Sequence, residues 1–218
     1  MMRQSKEIDL ILESMPRRTS KTKQNYGFGV NDSTFCVSAK IDGVCVNHRA
    51  YAAWTVMLKM CYCVTYKSEM RSYDGCSVDY RWHRFSNFFI WWKQNYVENW
   101  HLDKDIISAG NKVYSPDHCA YVPPELNYFI SLAIIRNDNW PIGAFKCSRG
   151  DKFFSKMRDR NGRSHHLGTF STPMDAHNAW MAAKLEQAKL YKDMCDGINP
   201  ILYPGLIAKI ESMRSVGS

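Results

Sequence analysis

The run from Trp100 to Asn127 is rich in side chains that can do chemistry, with four acids, two lysines, two histidines and two asparagines. A strand-like segment, Leu102 to Ile107, precedes the turn signal Gly110-Asn111. A second extended segment, Lys112 to Tyr114, leads into a short closing helix that carries Asn127. This order can bring an acid of the first segment next to an amide of the last. Carboxylate and amide oxygens suit a hard cation such as magnesium, which can polarise a phosphodiester.

The same residue types also have a purely structural interpretation. Asp, Lys and Asn beside glycine are common turn residues, so the sequence LDKD at 102–105 can be a solvated strand edge. Taken alone, these residues leave both interpretations open.

Several motifs resemble the nuclease core of the HNH homing endonucleases of tailed phages. They are LDKDI, GNKVYSP, C-x-x-V with a following asparagine, and upstream YGFGVND (26–32), W-x-x-ML-x-x-CY (54–62) and GCSV-x-x-x-W-x-x-FSNF (75–88). The resemblance extends over most of residues 26 to 130. It implies a ββα-metal fold that hydrolyses DNA with a divalent cation, magnesium or alternatively manganese.

Carried over by position, the resemblance implies that Asp103 is the first metal ligand and Asn127 the second. Asn111 then corresponds to the asparagine that braces the loop of the core. The place of the general base, a histidine in the wider HNH family, is held here by Lys104.

The identity of the general base therefore has three candidates. Lys104 can act as a base only if its pKa falls far below about 10.4, and neighbouring aspartates favour the opposite shift. His101 shares the strand face of Asp103 because strand side chains alternate with period two. His118 precedes the closing helix. Both histidines can equally be ordinary surface residues.

Composition limits the compartment and the partners. The chain has 218 residues, a net charge of +8 and eight cysteines without a tight framework, which favours thiols in a cytoplasmic protein. A zinc site from Cys61, Cys63, Cys76 and His83 can be drawn, but its spacing fits no standard ligand pattern, which argues against structural zinc. No apolar run approaches membrane-spanning length and no secretory signal is evident, so we expect no membrane partner.

Basic charge is concentrated in two regions. Residues 140 to 170 hold seven Lys or Arg against two Asp, and the first 25 residues hold six against three acids. Such clusters are typical of surfaces that neutralise nucleic-acid phosphates.

Residues 141 to 192 predict three short strands followed by a helix. Asn161-Gly162 is a hairpin signal, Ser171 or Thr172 can cap the helix, and Pro173 suits its first turn. Alternation along the second strand turns Phe153, Ser155 and Met157 towards the helix. The opposite, outer face is predicted to carry Phe154, Lys156, Arg158, Phe145, Cys147, Arg149 and His166.

This block is similar to the plant ethylene-response-factor (Apetala-type) DNA-binding domain, which is also found fused to phage HNH nucleases. The resemblance is carried by Ile142-Gly143, by Phe153 to Arg158, by LGTF at 167–170 and by the alanine-rich helix. It implies contact with double-stranded DNA. The predicted contact residues are Arg149, Lys152, Lys156, Arg158, Arg160, Arg163 and His166.

The sequence as a whole predicts an α+β protein with a ββα-metal core followed by a three-stranded antiparallel sheet packed on one helix. The predicted segments are a basic arm (1–25), a nuclease domain (26–135), a DNA-binding domain (140–195) and a C-terminal extension (196–218). We expect an HNH-type DNA endonuclease. The alternatives are a DNA-binding regulator that has lost cleavage, and an adaptor that binds a protein through the aromatic region from Trp82 to Trp100.

Overall fold

A computed structural model of the chain describes residues 4–17, 24–131 and 140–213, apart from the side chain of Arg71. The helices are α1 (Lys6–Ser14), α2 (Arg49–Tyr62), α3 (Val64–Glu69), α4 (Phe85–Asn95), α5 (Pro124–Ser131), α6 (Pro173–Ala188), α7 (Lys192–Ile198) and α8 (Leu202–Ser212). The strands are β1 (Ser38–Ile41), β2 (Val44–Asn47), β3 (Ser77–Val78), β4 (His101–Asp103), β5 (Val113–Tyr114), β6 (Ala120–Val122), β7 (Ala144–Lys146), β8 (Phe153–Arg158) and β9 (Ser164–Phe170). Short 3-10 helices cover Arg71–Tyr73, Tyr80–His83 and Lys189–Tyr191.

The mixed content of helix and strand confirms the predicted α+β class. The antiparallel sheet β7-β8-β9 confirms the three strands expected from the C-terminal pattern. Among the described residues, no helix is both long and apolar enough to cross a membrane.

The chain divides into two compact units, and neither is a continuous segment. The first comprises Met1–Glu98 with Lys112–Cys119, and the second Asn99–Asn111 with Ala120–Ser218. This division differs from the predicted domains, because β4, β6 and α5 belong to the same unit as the three-stranded sheet. The segment predicted as a C-terminal extension is also part of the second unit.

The core of the first unit is aromatic. Trp54 on α2 is fully buried, and its indole Nε1 donates a 2.7 Å hydrogen bond to the carbonyl of Trp82. Phe85 and Phe88 on α4 are also fully buried. Much of the aromatic region from Trp82 to Trp100 therefore fills a core, and its buried rings are not available to bind a partner protein.

Helix α1 is anchored to α2 in the first unit. The Asp9 carboxylate accepts a 2.9 Å hydrogen bond from the backbone amide of Arg49 and a 2.7 Å one from its Nε. Leu12 is fully buried beside Cys36 and Val46. This part of the predicted arm is thus a packed helix, and the basic residues 18–23 lie outside the described residues.

The second unit is built on one large apolar cluster. Ile106 and Leu126, from the region of the predicted nuclease core, are fully buried with Leu202 and Leu206 of α8. Trp180 of α6 joins the same cluster. Burial of apolar surface is the main favourable term in folding, so these segments stabilise one another.

Helix α6 packs on the sheet where the sequence indicates. Thr172 caps it by accepting a 3.1 Å hydrogen bond from the amide of Asp175, and Pro173 begins the helix. Gly143 has a φ of +81°, and a Cβ there would lie 2.1 Å from Trp180 Cγ. Glycine is therefore required at the point where the sheet meets the helix.

Candidate active site and nucleic-acid surface

Asp103 ends β4 and has 8% of its surface exposed. Its Oδ1 accepts hydrogen bonds from the backbone amides of Asp105 at 2.9 Å and Ile106 at 2.7 Å. Side-chain bonds of this kind replace the strand ladder by a turn. The prediction that the strand continues to Ile107 is therefore wrong.

The partner of β4 also differs from the expected one. β4 pairs antiparallel with β6, and Asp103 lies opposite Ala120. The predicted second strand, β5, pairs instead in parallel with β3 in the first unit. The second unit thus contains strand β4, strand β6 and helix α5, and the connection between the two strands includes Lys112–Cys119 of the first unit.

The two carboxyl groups after β4 differ in their electrostatics. Burial raises the pKa of Asp103, Lys209 opposes the increase, and the neighbouring Asp105 carboxylate adds to it. Burial also disfavours ionisation of Asp105. The ammonium groups of Lys209 and Lys104 outweigh that effect and hold its pKa below the ordinary value. Asp105 is therefore the more readily ionised of the two.

Asn111 holds the loop that follows β4. Its Nδ2 donates a 2.6 Å hydrogen bond to the carbonyl oxygen of Lys104. The bond ties Asn111 to the loop, and the correspondence of Asn111 to the central asparagine of HNH nucleases stays a prediction. The Lys104 side chain is buried, and its Nζ lies 3.4 Å from Oδ2 of Asp105.

His101 and Asn127 lie side by side, since Nδ2 of Asn127 is 3.0 Å from Nδ1 of His101. His101 is on β4, two residues before Asp103, and Asn127 is in the middle of α5. Which atom donates depends on the imidazole tautomer and on the orientation of the amide. The contact pairs the amide of α5 with the imidazole of β4. That Asp103 and Asn127 bind one cation together stays a prediction.

His118 belongs to the first unit, whereas the other five predicted core residues belong to the second. Its Nδ1 lies 3.0 Å from Oγ of the buried Ser115, which also accepts a 3.2 Å hydrogen bond from the His118 amide. These bonds close the turn between β5 and β6.

Two residues of α8 that sequence reasoning missed lie against the loop after β4. Nζ of Lys209 is 2.9 Å from Oδ1 of Asp105. One helical turn earlier, a Cβ on Gly205 would lie only 2.0 Å from the carbonyl oxygen of Ile106. The four-residue spacing of this glycine and lysine places both on one helix face, but nothing local indicates what that face contacts.

The oxygen ligands near Asp103 can hold a divalent cation only if water molecules complete the coordination shell of the ion. Oδ1 of Asp103 already accepts two backbone amides, and the Asp105 carboxylate faces two ammonium groups. The Asp103 carboxyl is also hydrogen-bonded to that of Asp105, so few oxygens remain for a cation beyond the amide oxygen of Asn127. Magnesium is commonly bound by one or two carboxylates and several waters, so this sparse set is compatible with it. Within residues 4–17, 24–131 and 140–213, no three His, Cys, Asp or Glu side chains are grouped to hold a metal.

The outer face of the three-stranded sheet is both aromatic and basic. Phe145 and Phe154 stack across β7 and β8 with ring centroids 5.1 Å apart, and His166 of β9 stacks on Phe154 at 6.1 Å. Nζ of Lys156 lies 5.1 Å from the Phe145 centroid, and Arg158 is exposed further along β8. Ser155 and Phe153 are buried on the opposite face. The predicted alternation of β8 is confirmed.

The other predicted DNA-contact residues lie in the two hairpin turns. Because β7 ends at Lys146, Arg149 is exposed in the turn with Lys152, and its predicted position on the strand face is wrong. Arg163 is exposed in the β8–β9 turn. Arg160, in the same turn, has NH2 3.7 Å from Oε1 of Glu125 and its guanidinium 5.0 Å from the Tyr191 ring centroid. Part of its charge is therefore already compensated.

Comparisons with known proteins identify no relatives: no protein-family model matches the chain, and no curated protein or solved structure is significantly similar to it.

Proposed function

We propose that the chain is an endonuclease that binds double-stranded DNA and hydrolyses phosphodiester bonds with a divalent cation. The observation that carries the proposal is the β4-β6-α5 arrangement. It sets His101 against Asn127, with His101 two residues before Asp103 on β4, while Asn111 closes the loop that follows the strand. This is the order of parts that the resemblance to HNH nucleases implies.

Each side chain has a distinct role in the proposed reaction. Asp103 and Asn127 would hold the cation, which when bound supplies charge that polarises the phosphodiester and stabilises the leaving oxygen. His101 is the better general base, because the Lys104 ammonium is buried and paired with Asp105. This role requires the Asn127 amide to be turned so that its oxygen, in place of the Nδ2 that faces His101, accepts the proton on Nδ1; Nε2 of His101 can then take a proton from water. The amide oxygen has a second lone pair for the cation.

The exposed basic sheet supports DNA binding by the same protein. Lys156 and Arg158 extend from β8 beside the stacked rings of Phe145 and Phe154, and Arg149, Lys152 and Arg163 lie at the hairpin turns. Basic side chains on one face neutralise phosphates, and arginine can donate two hydrogen bonds to guanine in the major groove. The β4-β6-α5 arrangement would then carry out the hydrolysis, and the three-stranded sheet would bind the duplex.

Nicking of supercoiled plasmid by the purified full chain, with magnesium or manganese, tests this function directly. We expect metal-dependent nicking that is lost in Asp103→Asn, while Asp193→Asn, an exposed acid on α7, cleaves like wild type. His101→Ala should reduce the rate about 100- to 10,000-fold if the imidazole is the base. Equal activity of wild type and Asp103→Asn would refute the assignment.

A second candidate is a DNA-binding protein that does not cleave. It is favoured by the burial of Asp103 and by the two backbone amides that Oδ1 accepts, both of which limit its access to a cation. Salt-sensitive duplex binding without nicking in either metal would support this candidate over the first.

A further inference from the structure

The loop that presents Asp103 is held at three consecutive residues. Asn111 bonds to the Lys104 carbonyl, Lys209 pairs with the Asp105 carboxylate, and α8 packs against the Ile106 backbone through Gly205. Two of these three contacts come from α8. No motif in the sequence indicates a role for this helix.

These contacts act on the groups that orient Asp103. The amides of Asp105 and Ile106 are the two donors to Oδ1, so movement of either residue would turn the carboxylate. The ion pair between Lys209 and Asp105 is well shielded, with 12% and 29% of the two side chains exposed. A shielded pair of this kind holds its partners more firmly than a surface pair does.

We infer that α8 is a positioning element of the active site, in which Lys209 acts through Asp105 to orient the Asp103 carboxylate. Gly205 allows the helix to approach closely enough for this contact. Asp105 is then a support for Asp103 and not a metal ligand, because its two oxygens face Lys104 and Lys209. The inference rests on the proposed hydrolytic role of Asp103.

The test compares Lys209→Gln with Lys209→Arg, which can keep the ion pair, and with Lys189→Gln. The control lysine is exposed, and its Nζ lies 2.6 Å from Oε2 of Glu186. Hydrogen exchange of the Asp105 and Ile106 amides, measured by NMR, reports directly on the loop. We expect exchange to accelerate about tenfold or more in Lys209→Gln and to stay near wild type in the other two variants.

Cleavage gives an independent reading. The single-turnover rate in Lys209→Gln should fall roughly 10- to 100-fold, as is typical when a supporting partner of a metal site is lost. Duplex affinity should be unchanged, and Lys209→Arg should recover most of the rate. If Lys209→Gln does not fold, Asp105→Asn removes the same pair from the other side and should give the same two effects.

The outcomes separate this inference from the proposed function. Wild-type amide exchange at Asp105 and Ile106 in Lys209→Gln would overturn the inference, whether or not the protein cleaves DNA. An equal loss of rate in Lys189→Gln would overturn it too. Absence of cleavage by the wild-type chain would refute the function alone, and the exchange comparison would still decide whether α8 orders the loop.

Discussion

Replacing Gly205 by alanine sets two opposing effects against each other. Alanine in a helix interior is favoured over glycine by about 0.5–1 kcal/mol, so propensity alone predicts a more stable protein. A Cβ at position 205, however, would lie 2.0 Å from the carbonyl oxygen of Ile106 and 3.0 Å from its carbon. Because both are backbone atoms, α8 must move away from the loop. Overpacking of this kind costs typically about 1–3 kcal/mol, so we expect a net loss of about 1–2 kcal/mol.

Gly197 provides a matched control. It lies in α7, and a Cβ there would have nothing within 4 Å. Gly197→Ala should therefore leave stability unchanged or raise it by up to about 1 kcal/mol. Urea denaturation of the two variants and wild type gives the free energy of unfolding of each. A Gly205→Ala protein as stable as Gly197→Ala would refute the close approach of α8 to the loop.

Three further predictions concern other parts of the chain. Burial lowers the pKa of Lys184 to about 8 from 10.5, so the folded protein holds this proton less firmly than the unfolded chain does. The unfolded chain keeps this proton up to about pH 10.5. As the pH rises from 8 to 10.5, the free energy of unfolding of wild type should therefore increase by about 3 kcal/mol relative to that of Lys184→Met. The same pH dependence of the unfolding free energy in wild type and Lys184→Met, measured by denaturation, would contradict this. Alanine at both Lys156 and Arg158 should weaken duplex binding and reduce the slope of log affinity against log salt by about 0.9 per lost phosphate contact. Alanine at Lys189 should leave that slope unchanged, and an unchanged slope in the double variant would exclude contacts by β8. Asn111→Ala should lower the free energy of unfolding by about 1–3 kcal/mol, because the Lys104 carbonyl loses its 2.6 Å donor; wild-type stability in thermal and urea denaturation would contradict this.

The parts of the fold that depend on local rules were predictable. The alternation of β8 and the cap at Thr172 follow from side-chain direction and turn chemistry within a few residues. The apolar residues of α2 likewise recur at helical spacing, and Trp54 and Leu58 are buried on one face of that helix. In each case the signal and the structure that it predicts lie in the same short segment.

The candidate site was predictable only in part, because its remaining contacts are distant in the sequence. The hydrogen bond between Asn111 and the Lys104 carbonyl joins residues of one short segment. The contact of Lys209 with Asp105 joins positions more than one hundred residues apart and depends on how α8 packs. The early end of β4 has a local cause, since the Asp103 side chain competes with the strand ladder, but a run such as LDKDI fits a strand equally well.

The interleaving of the two units limits how the chain can be dissected. A cut near residue 135, between the predicted domains, would separate Ile106 and Leu126 from Trp180, Leu202 and Leu206, with which they share one apolar cluster. Each fragment would then expose part of a core to water and be prone to aggregate. Individual contributions of this protein's parts are therefore better separated by single substitutions in the intact polypeptide than by shortening it.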